Sequence, residues 1–531
     1  MKNYIYILHI IIAILFFASC EDDGAIMLND NEPCYTIFVS APNVSGTRAT
    51  YNDRNSEIAV KWEKGDVIVL SAGGENYSFL YRESAGDVGE FFHYGKISAS
   101  SDGSLPEGSM LTFGNVQDGN NTKDQVQKKN KICREYLTAN MAGKKLSDIT
   151  STKPVNLLPA DNMSLLHVHV KSPGMFLEGS LLKIKGLDQS EYYNITLGED
   201  PSLVFADAGE DLDIYVVVPA GDTIKSGTTL KFYFYAYDEF APKNKDKKTN
   251  GDEYHYYMKC NGTIETKNNE VVKMQLPNKP THTAIQLGLS VKWATMNIGA
   301  TSDQPGEASF GKYLPWGMTE EHFEFAWEDP NLSMLYRKTD EELKAVFGDD
   351  FSGSIQGIAP REYMGDTYGD PATCLWGDDW VIPTYDQMKN LQGRMSGSKV
   401  QGAKFTDWVE WANNNVVIPH IKTNGCYVYG TGSYSNKKVW FPAAGGVHSK
   451  KRGTPESPAS NDGCNGVYMV ATTALTTDGN LPGCYVYMFN GEVDNNGNVG
   501  AFSLGCHNKS HGYSFDTRIH GCSVRPIRKS N

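Results

Sequence analysis

The segment Leu230–Phe240, "LKFYFYAYDEF", determines the fold class expected for the first half of the chain. A run of aromatic residues at strand length that ends in an acidic pair is typical of a β-strand followed by a turn. Segments of the same kind recur on both sides of it: "VKWEKGDVIVLSAGG" (60–74), "LLHVHVKS" (165–172), "DIYVVVPAG" (213–221) and "NNEVVKMQLP" (268–277). Many short strands between turn residues, without long helical periodicity, predict β-sandwiches.

Length and charge limit the possible functions. The chain has 531 residues and a formal net charge of −14. A single hydrophobic core rarely grows beyond about 250–300 residues, so two or three domains are expected. Nucleic-acid binding requires a basic face that replaces counterions, and the acidic balance argues against that class of partner. The most polar insertion of the first half, "APKNKDKKTNGDE" (241–253), is predicted to be an exposed hairpin tip.

A domain boundary is predicted near residue 280. Trp62 is alone in the first half, whereas the other eight tryptophans lie within Trp293–Trp440. The sequence "LPNKPTHT" (276–283), with two prolines, precedes them and is typical of a linker. We therefore expect a region 35–277 and a region 281–531 that fold independently and meet through a modest, mobile interface.

The N-terminal residues resemble a bacterial lipoprotein signal. A basic residue precedes an apolar run over 4–18 that is short for a membrane span, and "FASC" leads into Cys20. The match is to a lipobox, although Phe17 stands where leucine is more usual. The resemblance implies a signal peptide over 1–19, acylation of Cys20 as a membrane anchor, and an acidic tether over 20–34. The "EDDG" after Cys20 resembles the surface-export signal of Bacteroidota lipoproteins and implies exposure at the outer membrane.

Five motifs of the first half resemble, in their order, those of the fimbrillin family of Bacteroidota: "GTRAT", "WEKGDVI", "LLPADNMSLLHVHV", "DIYVVVPAG" and "VVKMQLP". The resemblance covers residues 35–277 and implies two β-sandwich subdomains divided near residue 160, with a role in surface fimbriae. Some relatives are cleaved after an arginine near the start. The matching residue is Arg48, with Arg54 as an alternative and an ordinary loop arginine as a third reading. Cleavage would free a groove for another subunit's strand, since an unpaired sheet edge is a template for strand addition.

The second region carries five motifs of its own: "IQLGLSVKWATMNIGA", "YLPWGMT", "CLWGDDWVIPTYDQMKNL", "VWFPAAGGV" and "HGCSVRPI". In this order they resemble the Fibrobacter-type major paralogous domain of Bacteroidota surface lipoproteins, over nearly all of 281–531. That family is similar to the C-type-lectin-like fold, an α+β domain whose first and last strands pair. The resemblance implies that "LSVKWA" (289–294) lies beside "CSVRPI" (522–527). The calcium motifs with which true C-type lectins bind sugars are missing, so the fold does not establish sugar binding.

The segment Trp376–Leu391, "WGDDWVIPTYDQMKNL", combines tryptophans with three aspartates, as a glycoside-cleaving site would. Thr384 and Gln387 have the spacing of a capping box, which predicts a helix start. Asp386 then falls in the first helical turn, where a negative charge stabilises the helix dipole. The segment "TDEELKAVFG" (339–348) follows the same pattern and predicts a second capped helix.

The other two aspartates of this segment are predicted to be structural. Asp378 and Asp379 follow a glycine and precede Trp380, where a turn into a strand is expected. Adjacent carboxylates that enter a strand point in opposite directions, whereas a catalytic pair faces one gap. We therefore expect no catalytic pair here.

Other candidate sites are weaker. His167 and His169 would share one face of a strand, and two histidines so placed can bind a metal, but the sequence shows no third ligand. Asp494, Asn496 and Asn498 stand at the first three ligand positions of a calcium loop, but Val499 takes the place of its sixth-position glycine and Gly505 that of its twelfth-position glutamate. Cys506 and His507 are adjacent, and sequence neighbours rarely align for proton transfer. We predict no metal and no cofactor.

Together these features predict a non-catalytic surface lipoprotein, anchored in the outer membrane, that acts in adhesion or as a tip or accessory subunit of fimbriae. Its partners would be other fimbrial subunits, joined by strand addition, or a host or glycan ligand. One alternative is a surface glycan-binding lipoprotein of a carbohydrate-uptake system. A second is an enzyme related to the formylglycine-generating enzymes, because "WVIPTYDQM" resembles their "RLPTEAEW" element, although no matching pair of active-site cysteines is present.

Overall fold

A computed structural model describes the chain over residues 34–40, 66–85, 88–113, 123–127, 137–159, 163–187, 192–267, 271–321, 339–391, 394–395, 398–399, 405–408, 425–442, 444–447, 466–475, 482–489, 503–505 and 521–529. In the described part of the chain, strands account for 45% of the residues and helices for 11%, and the strands form several separate sheets. The expectation of a mainly β, multidomain chain is therefore confirmed. None of the helices described is both long enough and apolar enough to cross a bilayer.

The first unit is a single curled sheet. The strands up to residue 159 are β1 (Cys34–Ser40), β2 (Val67–Ala72), β3 (Glu75–Ala85), β4 (Val88–Tyr94), β5 (Met110–Phe113), β6 (Asp124–Gln127), β7 (Leu137–Asn140), β8 (Val155–Asn156) and β9 (Leu158–Pro159). All except β6 belong to one sheet of order β8-β1-β4-β3-β2-β5-β7-β9, around one core. Because the two edge strands, β8 and β9, are separated in sequence only by Leu157, the sheet must curl until its edges meet. The sequence predicted a sandwich of two sheets for this unit, and the structure has one curled sheet instead.

The second unit is a sandwich. Its strands are β10 (Met163–Lys171), β11 (Phe176–Leu177), β12 (Ser180–Lys185), β13 (Tyr192–Leu197), β14 (Val204–Ala206), β15 (Asp211–Pro219), β16 (Thr223–Ile224), β17 (Thr229–Tyr235), β18 (Glu253–Lys259), β19 (Ile264–Glu265) and β20 (Val271–Gln275). The sheet β15-β10-β20 faces the run β18-β17-β12-β13-β6, and both contribute side chains to one apolar core. This core begins at Leu166, and the core of the first unit ends at Leu157.

The side chains of strand β6 connect the two sheets of this sandwich along one side. Its backbone pairs in parallel with β13, in one sheet. The amide of Gln125 accepts from the backbone N–H of Val217 at 3.0 Å and donates to the carbonyl of Val217 at 2.7 Å, while Gln127 accepts from the N–H of Tyr215 at 3.0 Å. Both glutamines are buried. They satisfy backbone groups of the edge strand β15 that no neighbouring strand reaches.

The C-terminal unit contains the remaining strands and most of the helix. Its strands are β21 (His282–Ile285), β22 (Trp293–Ala294), β23 (Tyr313–Leu314), β24 (Arg361–Tyr363), β25 (Asp366–Tyr368), β26 (Trp380–Val381), β27 (Arg394–Met395), β28 (Ser398–Lys399), β29 (Phe405–Trp408), β30 (Gly425–Tyr429), β31 (Lys438–Pro442), β32 (Gly446–Val447), β33 (Gly466–Leu475), β34 (Pro482–Phe489), β35 (Ser503–Gly505), β36 (Gly521–Ser523) and β37 (Ile527–Arg528). The helices are α1 (Lys247–Asn250) in the second unit, then α2 (Asp340–Phe347), α3 (Pro371–Trp376) and α4 (Tyr385–Leu391). Short 3-10 turns occupy Leu146–Asp148, Glu307–Ser309 and Gly432–Tyr434.

The two ends of the C-terminal unit pair, as the sequence predicted. Trp293 of β22 lies opposite Ile527 of β37, and the N–H of Ala294 donates to the carbonyl of Pro526 at 3.0 Å. Arg525, which is fully buried, donates to the side chain of Asn297 at 2.7 Å and to the carbonyl of Ala294 at 2.9 Å. A buried guanidinium with directed bonds fixes the ends together more firmly than a two-residue strand pair does.

Both predicted capping boxes are confirmed. The Thr339 and Glu342 side chains each bond the other residue's backbone N–H at the start of α2. At α4 the N–H of Thr384 donates to Gln387 Oε1 at 2.7 Å, and the N–H of Gln387 donates to the Thr384 hydroxyl at 3.3 Å. These bonds satisfy amides that have no partner within the helix.

The expected modest interface near residue 280 is wrong. Strand β21, which follows the boundary, pairs with β18, which precedes it, and His282 lies opposite His255. One sheet of nine strands, in the order β26-β37-β22-β21-β18-β17-β12-β13-β6, therefore runs through both units. A proline-containing linker does not prevent this, because its prolines fall between strands rather than within one. The second and C-terminal units share a continuous hydrogen-bonded ladder.

The predicted tip at 241–253 connects β17 to β18, and residues 242–246 are exposed as expected. The two ends of this connection, however, contact the C-terminal unit. The hydroxyl of Tyr434 donates to Asp238 at 2.7 Å, and the ammonium of Lys437 lies 2.8 Å from Asp252. Sequence composition could not show this, since charged side chains that solvate a loop also form contacts between units.

Candidate functional site

A group of charged or polar residues joins the two units, all of them buried except the partly exposed Asp379, and we call it the junction cluster: Glu253, His255, Lys292, Asp379 and Arg528. The carboxylate of Glu253 accepts from Lys292 Nζ at 2.6 Å and from Arg528 Nε at 2.5 Å. His255 Nε2 lies 3.1 Å from the same carboxylate. Glu253 comes from the second unit, and both cations come from the C-terminal unit. One anion of one unit is therefore matched by two cations of the other, with all three side chains buried.

The protonation states follow from this arrangement. Burial acts to raise the pKa of Glu253, but the attraction of Arg528 and Lys292 outweighs it and holds the pKa well below its ordinary value. Burial lowers the pKa of His255, so its imidazole is neutral and Nε2 donates to Glu253. Near neutral pH the two carboxylates of the cluster balance its two cations.

Asp379, one of the aspartates of the tryptophan-rich segment, completes the cluster. Its Oδ2 accepts from the Tyr233 hydroxyl of the second unit at 2.8 Å, and its Oδ1 lies 3.5 Å from Arg528 Nη1. Burial alone would raise the pKa of Asp379. The positive charge of Arg528 and the hydrogen bond from Tyr233 outweigh burial, so the pKa is lowered. Asp378 beside it is exposed. Asp379 is thus bound to side chains of both units, which agrees with the structural role predicted for it.

The tryptophans of that segment belong to the same junction. His282 stacks on Trp376 at 3.9 Å between ring centroids, and Trp380 lies 5.1 Å from His255 and 5.2 Å from Trp376. Burial lowers the pKa of His282 to about 3, so it is neutral at physiological pH. These rings pack against His255 of the junction cluster, and an apolar surrounding of this kind strengthens ion pairs.

Asp370 is a buried carboxylate that the sequence reasoning missed. It caps α3 by accepting from the N–H of Ala372 at 2.8 Å, and it also accepts from Gly357 at 2.8 Å and from Ile382 at 3.0 Å. Burial raises the pKa of Asp370 to about 6, and these backbone amides oppose the rise. The available signal was the pair Asp370-Pro371, because aspartate followed by proline is typical of a helix start.

His167 and His169 do lie on one strand face, and a third residue joins them. Asp213 of the neighbouring strand β15 places one carboxylate oxygen 2.7 Å from His167 Nε2 and 2.8 Å from His169 Nδ1. His167 also stacks on Tyr215 at 4.5 Å, and its Nδ1 is buried without a hydrogen-bond partner. A metal bound at Nε2 would require a proton on Nδ1 and an acceptor for it. The positions of His167 and His169 therefore suit hydrogen bonds to Asp213.

A positively charged patch lies on the outer surface of the shared sheet, and we call it the lysine face: Lys183, Lys185, Lys231 and Tyr192. Lys185 pairs directly with Tyr192 on one side and with Lys231 on the other. The ammonium groups lie near tyrosine rings: Lys183 and Lys185 are 5.8 and 5.3 Å from the centre of Tyr192, and Lys231 is 5.0 Å from that of Tyr257. All four residues of the face are partly exposed.

Several candidate site residues lie outside the described part of the chain: Cys20, Arg48, Arg54, residues 494–502, Cys506 and His507. Lipidation and cleavage therefore remain predictions, and so does the absence of a calcium site at 494–505. Within the described ranges, no three histidine, cysteine, aspartate or glutamate side chains are placed to hold a metal ion.

Comparison with known proteins gives little help. No family model and no curated protein sequence matches this chain. One similar solved structure is a leucine-rich repeat protein from Bacteroides thetaiotaomicron, with 8% identity over 46% of this chain and 26% of that one. Its TM-score is 0.15, so the likeness carries no argument about fold or function. The chain spans about a quarter of that protein's length.

Replacing Asp379 by asparagine should lower the free energy of unfolding by about 1–3 kcal/mol, because a charged acceptor is lost from Tyr233 and Arg528. The neighbouring Asp378→Asn is the matched control, and a surface change of this kind should stay within about 0.5 kcal/mol. Urea unfolding monitored by tryptophan fluorescence measures both. Equal effects of the two substitutions would show that Asp379 has no special part in the junction.

Proposed function

We propose that this chain is a non-catalytic cell-surface lipoprotein, held in the outer membrane by acyl chains on Cys20, that acts in adhesion or as a tip or accessory subunit of fimbriae. The proposal combines the sequence resemblances with one structural observation. The C-terminal strand β37 lies inside the shared sheet, bonded to β22 on one side and to β26 on the other.

An enclosed last strand bears on how such a protein could assemble. Strand addition requires a segment that can leave its own fold and pair with an open edge of a neighbour. Removing β37 would break two strand pairings and expose Arg528, which is paired with Glu253. Strand β37 is thus poorly suited to leave its own sheet for a neighbour's, which favours a terminal or accessory position over a repeating stalk subunit.

The carboxylates Glu253, Asp379 and Asp370 also support a non-catalytic role. Glu253 is bound to two cations, Asp379 to a tyrosine and an arginine, and Asp370 to backbone amides. Glu253 and Asp379 hold together segments that are distant in sequence, and Asp370 holds together Gly357, Ala372 and Ile382 within one stretch of the C-terminal unit. Carboxylates whose oxygens are bonded in this way stabilise the fold and are not available for proton transfer to a substrate.

The anchor is tested by fatty-acid labelling in cells. Replacing Cys20 by alanine should abolish incorporation of a fatty-acid probe and release the protein from the membrane fraction, because the thiol that carries the acyl chains is gone. Cys34→Ala, which removes an exposed and unpaired thiol, is the matched control and should label normally. Normal labelling of the Cys20 variant would refute the anchor.

The assembly role requires a separate measurement. Fimbriae sheared from the cells should contain this chain at a low ratio to the main subunit, and its deletion should reduce adherence without removing the fibres. A high, stoichiometric content along the fibre would contradict the tip or accessory role. Absence from the cell surface, judged by resistance to added protease, would contradict the proposal as a whole.

A further inference from the structure

We propose that the lysine face is a binding site for an acidic polysaccharide, whose sugars carry carboxylate or sulfate groups. The inference rests on the proposed function, since it names the ligand class of that surface protein. It is carried by the arrangement of Lys183, Lys185 and Lys231 among tyrosine rings on the outside of the shared sheet.

The first argument is electrostatic. Lys185 and Lys231 are direct cross-strand neighbours, and Lys183 lies two residues along the same strand, about 7 Å away. Like charges placed directly opposite each other destabilise a sheet. Among the described residues, none of the three ammonium groups lies within ion-pair distance of a carboxylate, and only Lys231 is close enough to Asp379 to lower its pKa, although the chain as a whole has a net charge of −14. An anionic ligand would remove this repulsion.

The second argument is the shape of the site. The floor is the outer face of β12, β13 and β17, and the wall is the turn of the C-terminal unit that starts at Gly377. A Cβ atom placed on Gly377 would lie 3.3 Å from Lys231 Nζ, so this ammonium group borders the turn. The lysine face therefore lies in an angle between two units that the junction cluster holds together.

The third argument distinguishes a sugar from a peptide. Strands β12 and β17 are hydrogen-bonded to neighbours on both sides, so the face offers side chains and no free backbone groups. An extended acidic peptide would gain none of the main-chain bonds that normally hold it to a sheet. A sugar needs only charged groups for its acid substituents and aromatic surface for its rings, and Tyr192 supplies such surface beside the lysines.

The test is calorimetric titration of the full chain in detergent with four probes: a heparin-derived hexasaccharide, an oligogalacturonate, maltohexaose and hexaglutamate. We expect the sulfated or the uronic oligosaccharide to bind, with an affinity that falls as salt is raised, and maltohexaose not to bind. The double variant Lys183→Gln/Lys185→Gln should bind roughly tenfold more weakly or not at all. Lys231→Gln is a second variant with the same expected direction.

The control is Lys144→Gln/Lys153→Gln, which removes two exposed lysines of the first unit and should leave binding unchanged. Failure of both acidic oligosaccharides to bind, an equal loss in the control, or hexaglutamate binding as tightly as the sugars would overturn the inference. A chain that is displayed and supports adherence but binds no acidic sugar refutes this inference alone. A chain that binds such sugars but never reaches the surface refutes the proposed function alone.

Discussion

Replacing Glu253 by glutamine should lower the free energy of unfolding by about 3–5 kcal/mol, the usual cost of removing one partner from a buried ion pair. Glutamine keeps the shape of the side chain but leaves the ammonium of Lys292 and the guanidinium of Arg528 buried without their shared anion. Lys292 then keeps only the carbonyl of Thr249, while Arg528 keeps the carbonyl of Asp379 and the more distant Asp379 carboxylate, 3.5 Å away.

The measurement is urea unfolding followed by tryptophan fluorescence. Eight of the nine tryptophans lie beyond residue 290, so the signal reports the C-terminal unit, whereas the substitution is in the second unit. The control is Glu107→Gln, at an exposed position in the first unit, which should change the free energy of unfolding by no more than about 0.5 kcal/mol. An unchanged midpoint for the Glu253 variant would show that the junction does not stabilise the C-terminal unit.

The same carboxylate predicts how stability depends on pH. Its folded pKa lies well below the ordinary value of 4.5, so its contribution is fully present above about 4.5. The contribution is lost as the pH falls below 4.5 toward the folded pKa, because the unfolded chain then binds the proton more readily. The wild type should lose stability in that range more steeply than Glu253→Gln, which has no proton to bind at this position. Parallel curves would contradict the low pKa of Glu253.

Deleting residues 521–531 should unfold the C-terminal unit altogether. The deletion removes β36, which lies between β23 and β33, and β37, which lies between β22 and β26. It also removes Arg525, whose guanidinium donates to Asn297 and to the carbonyls of Ala294 and Trp440. Two interior strands and a buried hydrogen-bonding group cannot be lost by fraying, so no cooperative tryptophan transition should remain.

A chain that ends at Lys529 is the matched control, since it keeps every strand described near the C-terminus. It should unfold like the full chain. Near-ultraviolet circular dichroism and urea unfolding compare the three proteins. A cooperative transition in the chain that ends at His520 would refute the paired-ends arrangement and weaken the resemblance on which it was predicted.

Local features of this fold could be predicted from sequence because their signals are local. The capping boxes at Thr339 and Thr384 depend on residues three apart, and the strands β10, β15 and β17 depend on short aromatic or β-branched runs. The pairing of the chain ends was a longer-range prediction, and it came from a family resemblance. Its confirmation at Trp293 and Ile527 concerns the pairing and leaves the lectin-like fold a proposal.

The junction could not be predicted in this way. Glu253 and Arg528 are 275 residues apart, and neither carries a pattern that indicates its partner. The prolines near residue 280 indicated a linker, yet a linker and a strand connection look alike in sequence when the pairing partner is unknown. The curl of the first sheet could not be predicted for the same reason. It depends on β8 and β9 pairing at opposite edges of the sheet, and no hydrophobic periodicity in the sequence indicates which edge a strand joins.

Hydrogen exchange of the native full chain tests the central claim most directly, namely that the second and C-terminal units form one cooperative body through the sheet at residue 280. The N–H of Thr281 donates to the carbonyl of His255 at 2.7 Å, and β21 pairs with β18 over three residues. Peptides that cover 253–257 and 281–285 should therefore be as protected as those from β12 and β17. Exchange of 281–285 as fast as that of the exposed stretch 301–308 would contradict the account.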